Sequence, residues 1–170
     1  MTGAYRDGLP ADAARVRATY LESFDAIFKH LYSPEDYGSF IAGQSEAAFR
    51  DQLEDPAYAF RLAEHDGRLI GFAKLGPPSL PYDPAGRTCV ELRQLYLLED
   101  AKGTGVATVL MDWVIAEATR RGAAEIWLSV FSDNPRARRF YARYGFEEVR
   151  PFKFMVGNHA DDEFLCRLTL

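Results

Sequence analysis

Gly103-Thr104-Gly105-Val106-Ala107-Thr108 is the stretch of this chain best suited to chemistry. It joins a strand-like run, residues 91–97, to an amphipathic helical pattern over residues 106–121. Two glycines let the backbone turn sharply and leave no side chain in the way of a ligand. The helix that follows opens with unpaired N–H groups and the positive end of its dipole. An anion, most often a phosphate, suits such a junction. The run has neither P-loop spacing nor a complete dinucleotide fingerprint, so a tight turn without a ligand is the competing reading.

The elements that must hold this turn follow from periodicity and punctuation. Val16, Tyr20 and Phe24 recur at helical spacing, and Pro10 fits a first turn, which predicts a helix over residues 10–28. Ser33 followed by Pro34, Glu35 and Asp36 reads as a cap and first turn of a short helix to about Ile41. Ser45 caps a third helix that Pro56 ends. Residues 58–64 and 68–75 read as strands around the turn His65-Asp66-Gly67, where Asp-Gly supplies positive φ. Four of the nine prolines fall in residues 76–86, which predicts an irregular surface loop. A central strand over 88–97, a strand over 125–131 and a helix over 134–144 follow, with Gly122 and Gly145 as helix stops. Strands over 149–156 and 164–170 close the chain around a polar turn, residues 157–163. The expected fold is a single domain over residues 1–170, a mixed α/β sheet with helices on both faces. Its strand–helix–strand part implies a parallel pair with a right-handed crossover. Ligands in such sheets lie beyond the carboxyl ends of the strands.

Composition excludes several classes. The net charge of −5, with no basic cluster, argues against nucleic acid or an anionic membrane as partner. Cys89 and Cys166 stand far apart, so neither a disulfide framework nor a zinc site is expected. No leader-like segment opens the chain, and no run approaches the roughly 18 apolar residues of a membrane span. A soluble cytoplasmic protein without a metal is the expectation. His30, His65 and His159 are scattered, Asp161-Asp162-Glu163 reads as a solvated turn, and Trp113 and Trp127 read as packing.

Three segments together resemble the GNAT family of N-acetyltransferases. They are the strand with its glycine turn, the run Ile126-Trp-Leu-Ser-Val-Phe131, and Asn134-Pro-Arg-Ala-Arg-Arg-Phe-Tyr-Ala-Arg-Tyr-Gly-Phe146. The last is similar to the family signature N-x-x-A-x-x-F-Y-x-x-x-G-F. The resemblance covers about residues 91–149. It implies a mixed sheet splayed between two parallel central strands, with acetyl-CoA in the cleft. It implies that Gly103, Thr104, Gly105, Val106, Ala107 and Thr108 face the pyrophosphate, that Leu95, Tyr96 and Leu97 present main chain to the pantetheine arm, and that Asn134 contacts the cofactor. The family usually has Gln or Arg where this chain has Asp100. Asp100 is therefore expected to point away, with Lys102 supplying positive charge.

Acetyl transfer to an amine needs a deprotonated amine, a donor for the oxyanion and a proton for the departing thiolate. The resemblance makes Tyr141 the thiolate's acid and Glu91 the first choice of base. Simple alternation places Glu91, Arg93, Leu95 and Leu97 on one strand face. The acceptor in such proteins is shaped by the first helices and the loop before the central strand. Asp25, Tyr32, Glu35 and Asp36 lie there, and acids with aromatics suit an alkylammonium. The strand end at residues 73–76 and the tail over residues 154–164 resemble a bacterial spermine/spermidine acetyltransferase-like subgroup. A small-molecule N-acetyltransferase acting on a polyamine is thus expected. A protein or peptide N-acetyltransferase and a non-catalytic acyl-CoA sensor are the alternatives. A homodimer through the last strands is compatible with all three.

Overall fold

The computed structural model describes residues 3–170. Seven strands form one sheet in the order β1-β2-β3-β4-β5-β7-β6. They are β1 (Ala4–Asp7), β2 (Ala59–His65), β3 (Arg68–Gly76), β4 (Cys89–Leu97), β5 (Glu125–Phe131), β6 (Glu147–Val156) and β7 (His159–Thr169). Every pairing is antiparallel except β4 with β5. The helices are α1 (Ala13–Phe28), α2 (Pro34–Ala42), α3 (Glu46–Glu54), α4 (Val106–Arg120) and α5 (Pro135–Arg143).

The local signals explain the boundaries. Ser33 Oγ accepts from the Asp36 N–H at 3.1 Å, and Ser45 Oγ accepts from the Ala48 N–H at 3.1 Å. Each hydroxyl satisfies an N–H that the helix start leaves unpaired. Asp66 and Gly67 both take positive φ, as a two-residue hairpin turn of matching twist requires. One element is absent from the sequence reading and one expectation needs correction. The strand β1 pairs with β2, but four residues are too short to announce a period in the sequence. The final turn is only Gly157 and Asn158, because β7 begins at His159 rather than near residue 164. Asp161 and Leu165 are buried on alternate positions of that strand, so the acidic run is sheet and not a solvated loop.

Two cores lie on opposite faces of the sheet. One packs Val106, Leu110, Met111 and Val114 of α4 against Leu75, Leu92, Ile126 and Leu128. The other packs Val16, Tyr20 and Phe24 of α1 and Phe49 of α3 against Leu62, Leu69 and Phe72. The proline-rich segment is strapped down rather than loose. Tyr82 stacks on Trp127 at 4.1 Å between ring centres, Arg93 donates to the Pro77 carbonyl, and Arg150 donates to that of Pro81.

Lys74 on β3 is 3% exposed, donates to Gln52 Oε1 at 2.8 Å and lies over the Phe49 and Phe60 rings. Burial, aided by the charge of Arg93, pushes its pKa from 10.5 down to about 7. A folded value below the unfolded one means the ammonium costs stability. That cost is full below about pH 7 and fades as pH rises toward 10.5. Lys74→Met should therefore stabilise the fold by about 1–4 kcal/mol at pH 6, with the gain shrinking near pH 10. Denaturant unfolding at the two pH values measures it; an equal or reversed effect would contradict this account.

Candidate active site

The parallel strands β4 and β5 pair only through Cys89–Glu125, Val90–Ile126 and Glu91–Trp127. Beyond these residues they diverge. A cavity of about 950 Å³ fills the gap, lined by residues 92–97 of β4 and 128–131 of β5. At one end stand Gly103, Gly105, Ala107 and Thr108 at the start of α4, with Asn134, Arg136, Arg139 and Arg143 of α5. At the other stand Ile27, Phe28, His30 and Leu31 from the end of α1 and the turn after it, with Phe131 and Glu163. Tyr141 borders the same cavity.

The glycine turn has the geometry of an anion cradle. Gly103 and Gly105 have φ of +80° and +92°, and a Cβ on Gly105 would meet nothing within 4 Å. The Thr108 N–H is taken by the Gly105 carbonyl, which leaves the N–H groups of Val106 and Ala107 as the unpaired start of α4. Thr104 and Val106 do not line the cavity. The Thr104 hydroxyl donates to the Ala101 carbonyl at 2.7 Å, and the Val106 side chain is buried in the core. Lys102 borders the cavity, with its ammonium on Glu99 at 2.6 Å. Asp100 faces Arg68 at 3.4 Å and is not part of the lining. Leu95, Tyr96 and Leu97 line the cavity, as does Asn134, whose Oδ1 also caps α5 by accepting from the Ala137 N–H.

The three arginines of α5 were not singled out by the sequence reading. Their i, i+3, i+7 spacing is the signal that puts them on one helix face. Among the described residues none of the three has an ion-pair partner, whereas Arg138, on another face, is held by Glu148 at 2.8 Å. Unpaired guanidinium groups beside unpaired N–H groups favour a polyanion.

Glu91 sits elsewhere. It is 4% exposed and outside the cavity lining. Its oxygens accept from the Ser79 N–H at 2.6 Å, the Ser79 hydroxyl at 2.9 Å and the Leu80 N–H at 3.1 Å. The simple alternation fails because β4 carries a bulge: Gln94 pairs with Lys74 but Leu92 pairs with Leu75, so Arg93 is an extra residue. Val90 and Leu92 before the bulge share a core with Leu95 and Leu97 after it, and Glu91 points to the opposite face.

Two carboxylates border the cavity, Asp133 beside Asn134 and Glu163, which the sequence reading placed in a solvated turn. Glu163 pairs with Phe131 across β5 and β7 and is half-buried, and its Oε2 is closed off without a partner. Burial raises its pKa to about 7, opposed by a hydrogen bond from Ser129 and helped by the nearby Asp161. Tyr141 packs edge-on against Phe140 and Phe146, and burial, with Cys166 and Glu163 nearby, pushes its phenol upward. It therefore stays protonated at neutral pH.

None of Asp25, Tyr32, Glu35 and Asp36 lines the cavity. Asp25 accepts from the Tyr37 hydroxyl at 2.6 Å, the Tyr32 hydroxyl donates to Asp161 at 2.5 Å, and Asp36 accepts from the Asn158 N–H at 2.7 Å. Glu35 is exposed in the first turn of α2. Among the described residues no group of three His, Cys, Asp or Glu could hold a metal, and no helix is long and apolar enough to cross a membrane.

The sequence profile of the acetyltransferase (GNAT) family matches residues 21–146. The chain belongs to the GNAT family. It is 37% identical over 155 residues to an uncharacterized N-acetyltransferase of Mycobacterium tuberculosis, covering 91% of this chain and 95% of the relative. Its fold is similar to that of PaiA N-acetyltransferase from Thermoplasma acidophilum, solved in complex with coenzyme A, with a TM-score of 0.78, 19% identity and full coverage of both chains. NAA60 of Arabidopsis thaliana, solved with a bisubstrate analogue, aligns with a TM-score of 0.73 at 20% identity over 99% of each chain. The protein is an acetyl-CoA-dependent N-acetyltransferase. The bare glycine turn, the unpaired N–H groups and the unpaired arginines fit the phosphates of that co-substrate.

Charge-assisted hydrogen bonds contribute about 1.5–3 kcal/mol each. Arg136→Ala and Arg139→Ala should each weaken CoA binding by roughly tenfold or more by calorimetry, with thermal stability nearly unchanged. CoA affinity equal to wild type in both variants would place the phosphates elsewhere.

Proposed function

We propose that this protein transfers the acetyl group of acetyl-CoA to the primary amine of a slender small molecule, such as a polyamine, by direct attack within a ternary complex. The observation that carries the reading is one continuous cavity, bordered by Arg136, Arg139 and Arg143 beside the glycine turn and, elsewhere, by Phe28, Leu31, Phe131 and Glu163. The N–H groups of the glycine turn and the α5 arginines hold the phosphates. The main chain of Leu95, Tyr96 and Leu97, which β5 leaves unpaired, is available to the pantetheine arm and the acetyl carbonyl. Tyr141 donates the proton that the leaving sulfur takes up. Phe28, Leu31 and Phe131 accommodate methylenes, and Glu163 gives an ammonium its counter-charge.

The wall that carries Phe28, His30 and Leu31 is tied to the β6–β7 hairpin. Tyr32 bonds Asp161, Asp36 bonds the Asn158 N–H, and Phe40 packs on Phe154. Such a closed side favours a thin amine over an extended peptide. Two free thiols, Cys89 and Cys166, are in keeping with a cytoplasmic setting. The free edge of β6, where Val149 and Met155 stand exposed, is the surface in keeping with a homodimer.

The test is release of CoA thiol from acetyl-CoA against polyamines, aminoglycosides, amino acids and short peptides. Polyamines should turn over best, and Tyr141→Phe should lower kcat by about 10²-fold or more with CoA binding retained. Turnover confined to peptides would reassign the acceptor. Tight CoA binding with no turnover on any amine would make the chain a binder instead.

A further inference from the structure

A second carboxylate chemistry lies on β7. We propose that Glu163 is the catalytic base that takes the proton from the attacking amine. This inference rests on the amine-acetylation reading above.

The argument starts from an unpaired charge. A buried carboxylate oxygen without a donor is costly, and folded proteins pair nearly all such atoms. Among the described residues, Glu163 Oε2 is one of only five buried side-chain polar atoms left without a partner. The residue also borders the cavity, on the strand that pairs with the far side of β5. A buried acid with one unpartnered oxygen, in a cleft, is a candidate functional group. Glu91 offers the contrast: both its oxygens are bonded to Ser79 or Leu80, and it lies outside the cavity.

The surroundings set a useful proton affinity. Ser129 of β5 donates to Glu163, while Asp161 of the same strand adds negative charge. Asp161 is itself engaged by the Tyr32 hydroxyl and by His159 at 3.2 Å. Tyr96 of β4, Tyr141 of α5 and Cys166 of β7 lie within electrostatic reach, and all three are held neutral. Arg93 and His30 border the same cavity; Arg93 is directed to the Pro77 carbonyl. Burial dominates the balance and brings Glu163 to about 7, where a base is half ionised at working pH yet accepts a proton well.

The proton account closes. The neutral amine, its ammonium proton already lost to solvent, forms its nitrogen–carbon bond to the acetyl group, and the carbon–sulfur bond breaks. The proton lost by nitrogen moves to the Glu163 carboxylate, and the thiolate takes the proton of Tyr141. Glu163 then returns its proton to the Tyr141 phenolate, restoring both groups. The products are the N-acetyl amine and CoA thiol.

The experiment is the pH dependence of kcat/KM from pH 5.5 to 9.5, on the best amine of the panel, for wild type and Glu163→Gln. Wild type should lose activity tenfold per pH unit below about 7, because protonation removes the base. Glu163→Gln should lower kcat by about 10²-fold or more, abolish that limb and leave the CoA dissociation constant unchanged. Glu163→Asp should recover part of the rate with a shifted limb. A limb that persists in Glu163→Gln, or that vanishes in Glu91→Gln or His30→Gln instead, overturns the assignment while the acetyltransferase reading stands. Wild-type protein inactive on every amine would overturn the reading and the base together.

Discussion

Everything about the site depends on how briefly β4 and β5 stay paired. Three residue pairs hold them together, and then they part. A parallel pair that ran its full length would present a closed sheet with every main-chain group satisfied. Separation leaves the β4 main chain from about Leu92 onward without a neighbour on that side, which would be costly unless a ligand or water took its place. The divergence is sustained from both sides. β5 is held to β7 along its whole length, and β4 to β3 with a bulge at Arg93. Bulges bend and twist the strand that carries them. The cavity is thus a gap in one sheet, bordered by α4 and α5 from one face and by the end of α1 from the other.

That geometry separates two electrostatic tasks that would interfere if they shared a surface. The phosphates of the co-substrate need cations and N–H donors, and Arg136, Arg139, Arg143 and the start of α4 gather at one end. Taking up an amine proton needs a carboxylate that is not neutralised, and Glu163 lies at the other end with no arginine or lysine bonded to it. Were the α5 arginines close to Glu163, their charge would lower its pKa and weaken it as a base.

The glycine turn and the helix starts beside the cavity were legible in the sequence because they are features of the local backbone. Glycines at positive φ, a helix start and the Asn134 cap are local, and local signals survive in one dimension. The resemblance to the family was read from residues 91–149, which hold the same features. The end bordered by Glu163 was not legible, for three physical reasons. The bulge at Arg93 reverses strand parity, so alternation counted from Leu95 puts Glu91 on the wrong face. The hairpin turn is two residues rather than seven, so Glu163 is a paired strand residue and not a solvated acid. Asp25, Tyr32 and Asp36 carry the right chemistry for an ammonium, but tertiary partners arriving from 12, 129 and 122 residues away occupy them. Long-range pairing of this kind leaves no trace in spacing.

The same tertiary ties give the acceptor end its own means of variation. Gly157 is required where it stands: with φ of +57°, a Cβ there would lie 2.6 Å from the Asp36 Cα. Close approach of α2 to the β6–β7 turn is therefore built into the backbone, and the Asp36 carboxylate closes on the Asn158 N–H. This contact fixes the segment between α1 and α2, and with it the wall formed by Phe28, His30 and Leu31, relative to the strand that carries Glu163. Neither the glycine turn nor Tyr141 takes part in the tie. Changes in the length or packing of α2 would move this wall against Glu163 while leaving the glycine turn and Tyr141 in place. A fold that anchors one substrate through backbone atoms, and the other through a strapped helix, can change its acceptor without disturbing its chemistry.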